Sequence, residues 1–154
     1  MKVISQLSGH HIVQLHALYQ REWWTKGRSL DATRRGVAGS QIVIGMVDED
    51  DNLLAFLRVL TDHTFKALIL DVIVAESARQ RGLGGKLMDL VMAHEALREV
   101  RHFELYCRPE LVEFYSSYGF TTDVGDIRFL RMTRPDAAKP EPEPDYSSPR
   151  TAPM

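Results

Sequence analysis

Apolar positions along residues 1–134 switch repeatedly between a helical period and a strand period. Lys2 to Gln6 reads as a short first strand. Behind it Ile12, Leu15, Leu18, Tyr19 and Trp23 fall at helical spacing, with Ser8 as the candidate N-cap. A second helix is predicted from Leu30 to Arg35, ending near Gly36. Ile42 to Val47 and Leu53 to Leu60 read as strands, and the acidic turn Asp48-Glu49-Asp50-Asp51-Asn52 joins them as an antiparallel hairpin. Ala67 to Val74 is almost continuously apolar, as a strand buried on both faces would be.

A glycine-rich turn follows, and then a helix predicted to run to about Val100 on the inner stripe Leu83, Leu87, Leu90, Val91 and Leu97. Phe103 to Cys107 is the next strand. Pro109 suits the first turn of a helix that reaches about Tyr118 and stops at Gly119. Two short strands, near Phe120 and over Ile127 to Met132, are expected to close the domain. The sum is an α/β (α+β) fold with a mixed, mostly antiparallel central sheet flanked by helices.

Composition bounds this picture. The chain has 154 residues, 44% of them hydrophobic, enough for one domain with its own core. No apolar run approaches the roughly 20 residues of a membrane span, and the first residues lack the apolar stretch of a secretory leader. Six of the seven prolines lie at or after Pro135. Residues 1–134 are therefore read as the domain, and 135–154 as an extended, solvated Pro-rich acidic tail. Of 19 basic and 21 acidic residues, two and four lie in that tail, which leaves the body neutral. A neutral body argues against nucleic acid or an anionic membrane as the main partner. The single cysteine, Cys107, permits no intramolecular disulfide and suits a reducing, cytoplasmic compartment. His10-His11 does not read as a metal site, since adjacent residues do not share a helix face.

The segment Val74-Ala75-Glu76-Ser77-Ala78-Arg79-Gln80-Arg81-Gly82-Leu83-Gly84-Gly85-Lys86-Leu87 carries the chemistry. A buried strand ends, a loop of arginines and glycines follows, and a helix begins. Glycine leaves backbone N–H groups uncovered, and with the helix dipole these suit a phosphate or pyrophosphate. Arg79, Arg81 and Lys86 add positive charge. A Walker loop is excluded, because Lys86 is followed by Leu87 and Gln80 stands where its first glycine would be. A Rossmann fingerprint is excluded, because its third glycine position is also Leu87.

The turn fits Arg/Gln-x-x-Gly-x-Gly/Ala, as Arg79-x-x-Gly82-x-Gly84, and Phe114-Tyr115-Ser116-Ser117-Tyr118-Gly119-Phe120 fits Phe-Tyr-x-x-x-Gly-Phe about 30 residues later. In this order the pair resembles the GNAT superfamily of N-acetyltransferases. The resemblance implies acetyl-CoA as the acyl donor. It implies that the backbone of Val72, Ile73 and Val74 pairs with the pantetheine arm. It also places Arg79, Gln80, Arg81, Gly82, Leu83, Gly84, Gly85 and Lys86 around the pyrophosphate. Tyr115 stands at the family's general-acid tyrosine, the group that protonates the departing thiolate. Arg108 departs from the family, which often has asparagine there.

An alkylamine acceptor, with a pKa of about 10.4, must also lose a proton. Asp71, a carboxylate inside an apolar strand, is a candidate base whose pKa burial would raise, or else a partner for an arginine. Glu104 and His63 are weaker candidates, and a water chain needs no residue. By the same resemblance the first two helices wall the acceptor site. Tyr19, Trp24 and Arg28 are its candidate contacts, Arg28 for a carboxylate, while Trp23 continues the core stripe. The expected activity is acetyl transfer to the amine of a small molecule. Transfer to protein lysines or N-termini, and a non-catalytic coenzyme-A-binding module, are the alternatives. The sequence leaves the oligomeric state open, a homodimer included.

Overall fold

The computed structural model describes residues 1–135. Lys2–Ile4 (β1), Ile42–Val47 (β2), Leu53–Thr61 (β3), Lys66–Val74 (β4) and His102–Glu104 (β5) form one sheet in that order. The first four strands pair antiparallel, and β5 joins β4 in parallel. Gly9–Gln20 (α1) and Leu30–Ala38 (α2) follow β1, Leu83–Met92 (α3) follows β4, and Val112–Ser116 (α4) follows β5.

Ser8 caps α1 as expected, since its Oγ accepts from the His11 N–H at 3.2 Å. His11 completes a capping box, its Nδ1 accepting from the Ser8 N–H at 3.1 Å, while Nε2 lies 2.9 Å from Asp51 Oδ1. The cap thus ties the start of α1 to the acidic turn of the β2–β3 hairpin.

Two apolar clusters sandwich the sheet. Leu15 and Tyr19 of α1 pack with Val43, Phe56 and Ile73 on one face. Leu83, Leu87 and Val91 of α3 pack with Ile44, Leu57, Ala67, Ile69 and Val72 on the other. Ala67, Ile69 and then Val72 meet the α3 face, so the period of two slips by one residue inside β4. The slip is a bulge: Phe56 pairs with Ile73 and Arg58 with Leu70, so Asp71 and Val72 both lie opposite Leu57. Asp71 takes φ 56°, a left-handed conformation that few non-glycine residues adopt.

Several expectations change. The strand predicted over Phe103 to Cys107 forms only as His102–Glu104, and the second helix runs past Gly36 to Ala38. The helix predicted to reach Val100 ends at Met92, and a 3₁₀ turn at Glu95–Leu97 completes the stripe, capped by His94 Nδ1. The helix predicted from Pro109 splits into a 3₁₀ turn, Pro109–Leu111, and α4. Neither closing strand forms among the described residues. Ile127, Phe129, Leu130 and Met132 are exposed instead. Apolar alternation gives a segment strand propensity, but a strand also needs an edge to pair with, and β5 is only three residues long. The tail beyond Pro135 lies outside the described residues.

Gly45 of β2 is closely packed on its Cα. A Cβ there would stand 3.0 Å from Ile4 Cγ1 and 3.3 Å from Leu53 Cδ1. Gly45→Ala should therefore cost about 1–3 kcal/mol by overpacking. Urea unfolding checks this as a lower midpoint with an unchanged m-value.

Candidate active site

β5 pairs with β4 only from Lys66 to Leu68, so among the described residues the edge of β4 from Ile69 to Val74 has no partner strand. The Ala75 N–H donates to Leu54 O on the β3 side at 2.7 Å. By strand alternation Val74 turns its own N–H and C=O to the free edge. There Val74 O accepts from Arg79 Nε at 3.3 Å.

This edge leads into a groove of about 290 Å³ between Val72 and Val74, the Arg79–Gly85 turn, and Leu111 and Phe114. Val72, Val74, Arg79, Gln80, Gly82, Leu83, Gly84 and Gly85 of the predicted donor set line it. Ile73, Arg81 and Lys86 do not: Ile73 points its side chain into the α1-side core, and the other two lie exposed. Gln80 at φ 64° and Gly82 at φ 72° turn the backbone onto the head of α3. No side chain caps that helix, and its first internal bond is Lys86 N–H to Gly82 O. The N–H groups of Leu83, Gly84 and Gly85 therefore have no partner within the helix.

The two sequence motifs meet here. A Cβ on Gly84 would lie 3.8 Å from Phe114 Cζ, and one on Gly85 3.2 Å from Tyr118 Oη. The Tyr118 hydroxyl donates to Gly85 O at 3.2 Å. Tyr115 does not line the groove: it packs into the α3-side core, 1% exposed and edge-on to Phe114 at 4.9 Å, and its buried hydroxyl has no hydrogen-bond partner among the described residues. Burial, with Cys107 nearby, raises the Tyr115 phenol far above its ordinary range. Burial and Glu110 likewise raise the Cys107 thiol, which keeps it protonated and a poor nucleophile.

At the bulge Asp71 Oδ2 accepts three bonds: from Tyr19 Oη at 2.8 Å, Arg28 Nη1 at 2.7 Å and Arg58 Nε at 2.7 Å. Burial pushes the carboxyl up, but the hydrogen bonds and charges of Arg28 and Arg58 outweigh it, and the net shift is downward. Of the alternatives the sequence left open for Asp71, a buried base or a partner for an arginine, the geometry shows the arginine partner, twice over. Tyr19 is nearly fully buried beneath Arg28, whose guanidinium carbon stands 4.7 Å from the ring centre. Glu104 pairs with Lys66 and His63 Nδ1 lies against Ala96 O, both at the far end of β4.

Since α1 ends at Gln20, Trp23 is not on the helical stripe. It is half-buried with the Arg108 guanidinium 5.3 Å from its ring, and the indole N–H of half-buried Trp24 is buried without a hydrogen-bond partner among the described residues. Sequence reasoning also missed Arg58 and Glu22. Glu22 is 3% exposed and pairs with Arg79 Nη2 at 2.7 Å, and burial raises its carboxyl despite that partner. A charged residue between a helix end and two tryptophans gave no signal of burial.

The sequence profile described as an acetyltransferase (GNAT) domain matches residues 39–122, more than half of the chain. The chain belongs to the GNAT family of acetyltransferases. A GNAT-family protein of known structure from Xanthomonas campestris pv. campestris is 30% identical, with a TM-score of 0.69 over 84% of this chain and 94% of its own. An uncharacterised N-acetyltransferase of Porphyra purpurea is 25% identical over 128 residues, 81% of this chain and 73% of the relative. Serotonin N-acetyltransferase 2, chloroplastic, of Oryza sativa subsp. japonica is 35% identical over 81 residues, 53% of this chain and 40% of the relative. Members of this family use acetyl-CoA in general, and the fold described above is theirs. No helix among the described residues is long and apolar enough to cross a membrane.

The Asp71 cluster sets a pH signature. Its folded pKa lies below the unfolded value of about 3.9, so ionisation supports the fold above that value. The support is lost as pH falls through the folded pKa. Asp71→Asn leaves guanidinium charge uncompensated and should cost on the order of 3–5 kcal/mol near neutrality. Urea titrations from pH 7 downward should show the gap full above about pH 5 and narrowing in acid.

Proposed function

We propose that this chain transfers the acetyl group of acetyl-CoA directly to the amine of a small molecule. The observation that carries the reading is the free edge of β4 running into the bare N–H groups of Leu83, Gly84 and Gly85. A pantetheine arm has amides that add to such an edge like a strand, and it ends in a pyrophosphate that suits the positive end of α3. Arg79, Arg81 and Lys86 add charge around it. A pure binder would need only these features.

Tyr115 supports catalysis beyond binding. A buried hydroxyl without a partner costs about 1–3 kcal/mol, which phenylalanine would avoid. In this reading its partner is the sulfur of the donor. The amine nitrogen attacks the thioester carbonyl, the C–S bond breaks, and Tyr115 gives its proton to the leaving thiolate. Burial keeps the hydroxyl protonated in the free protein, and it acts as an acid only as negative charge develops on the sulfur beside it.

Asp71 is assigned here as an anchor for Arg28 and Arg58, because a carboxylate held low by two guanidinium groups is a weak base. The acceptor's proton then leaves to solvent. The rice relative's name, with serotonin as its amine, agrees with a small acceptor. A cytoplasmic location is proposed on the single cysteine alone.

Calorimetry with acetyl-CoA, followed by thiol release over a panel of amines, tests the reading. Tyr115→Phe should lower kcat by about 10²–10⁴ and leave the acetyl-CoA dissociation constant within twofold. Unchanged turnover would remove the general-acid role.

A further inference from the structure

The bulge holds more positive charge than the fold neutralises. Arg28 and Arg58 both point at Asp71, and among the described residues neither guanidinium pairs with another carboxylate. The cluster is largely withdrawn from water: the side chains of Asp71, Arg58 and Arg28 are 4%, 15% and 34% exposed. One net positive charge is thus left in a partly buried place, where solvent compensates it poorly.

The surplus is directed. Arg58 lies deeper and also reaches Ser40 Oγ at 3.4 Å. Arg28 is the open member, and its donor to Asp71 is Nη1. Gln20 fixes the backbone that carries it, donating from Nε2 to Arg28 O at 2.9 Å and accepting from the Gly27 N–H at 3.1 Å. Gly27 takes φ 94°, the turn that throws Arg28 back over the Tyr19 ring. The same turn holds the Trp24 indole N–H, a buried donor with no hydrogen-bond partner among the described residues. The surplus at the bulge is therefore one guanidinium charge, with Arg28 its more exposed holder.

The donor's phosphates do not supply the missing anion in the function proposed above. They lie at the head of α3, and Asp71 stands three residues back along β4 from Val74, about 10 Å away. We infer that the acceptor is an amine that also bears a carboxylate, with Arg28 as the specificity-determining residue that grips it. A planar guanidinium fork matches a carboxylate, and Tyr19 beneath it keeps the plane fixed. This inference rests on the acetyltransferase reading. Serotonin carries no carboxylate, so it separates this chain's acceptor from the one in the rice relative's name.

The test uses amines in matched pairs, with and without an α-carboxylate, such as phenylalanine with phenethylamine and ornithine with putrescine. Thiol release from acetyl-CoA gives the ratio of kcat/KM within each pair. The corresponding N-acetylated products, titrated onto the coenzyme-A-bound protein, give the same ratio without turnover. The wild type should favour carboxylated members by about tenfold or more, the value of one charge-assisted contact. In Arg28→Gln the ratio should collapse toward one, and Arg28→Lys should restore part of it. A thermal melt of each variant with and without acetyl-CoA reports whether it folds.

A wild-type ratio of one or less in both assays overturns the inference, as does a ratio unmoved in a folded Arg28→Gln. Acetyl-CoA binding with turnover of the plain amines as efficient as that of their carboxylated partners would sink the carboxylate alone. Absence of acetyl-CoA binding would sink the underlying reading with it.

Discussion

The site depends on a strand that loses its neighbour. β5 accompanies β4 for three residues and then departs, which leaves the last part of β4 with an unpaired edge inside a sandwich. Such an edge is normally a liability that a fold covers or blunts. Here it runs between Leu111 and Phe114 on one side and the Arg79–Gly85 turn on the other, into a groove rather than onto an open surface. The strand therefore offers peptide groups along its length and bare helix amides at its end. Only an elongated ligand with amides and a terminal anion would use both.

The bulge at Asp71 gives the same strand its second duty. One extra residue opposite Leu57 lets Val72 resume its place in the α3-side core while Asp71 stays on the α1 side. A carboxylate there would be costly alone, and Tyr19, Arg28 and Arg58 make it tenable. Those three come from α1, the turn after it, and β3, so this side of the molecule is tied to the sheet at one atom. It is tied a second time beside the glycine turn, where Glu22 holds Arg79 and Arg21 meets Glu76. The turn between α1 and α2 thus links the bulge to the groove.

Much of this was legible in the sequence, for local reasons. Ser8, the acidic hairpin turn and Gly119 act within a few residues of themselves, and the structure places them as expected. The β2–β3 hairpin and the buried strand β4 were legible as short apolar runs. The glycine turn and the Phe-Tyr motif were legible because their spacing is rigid, and they proved to be neighbours through Gly84 and Phe114. What stayed hidden was what distant residues decide together. The carboxylate inside the apolar run was visible, but neither the bulge nor the two arginines that meet it there were, so the direction of the Asp71 shift could not be read. Glu22 and Arg58 look like ordinary surface charges until the residues that bury them are known. The run Ile127 to Met132 has the alternation of a strand, yet pairing is a property of two segments and one pattern cannot guarantee it.

Amide hydrogen exchange with and without coenzyme A tests the central claim most directly. The account predicts slowed exchange on adding the ligand at Val72 and Val74, on the free edge, and at Leu83, Gly84 and Gly85, with little change along the β2–β3 ladder. Protection confined to other segments, or no protection at saturating ligand, would contradict it.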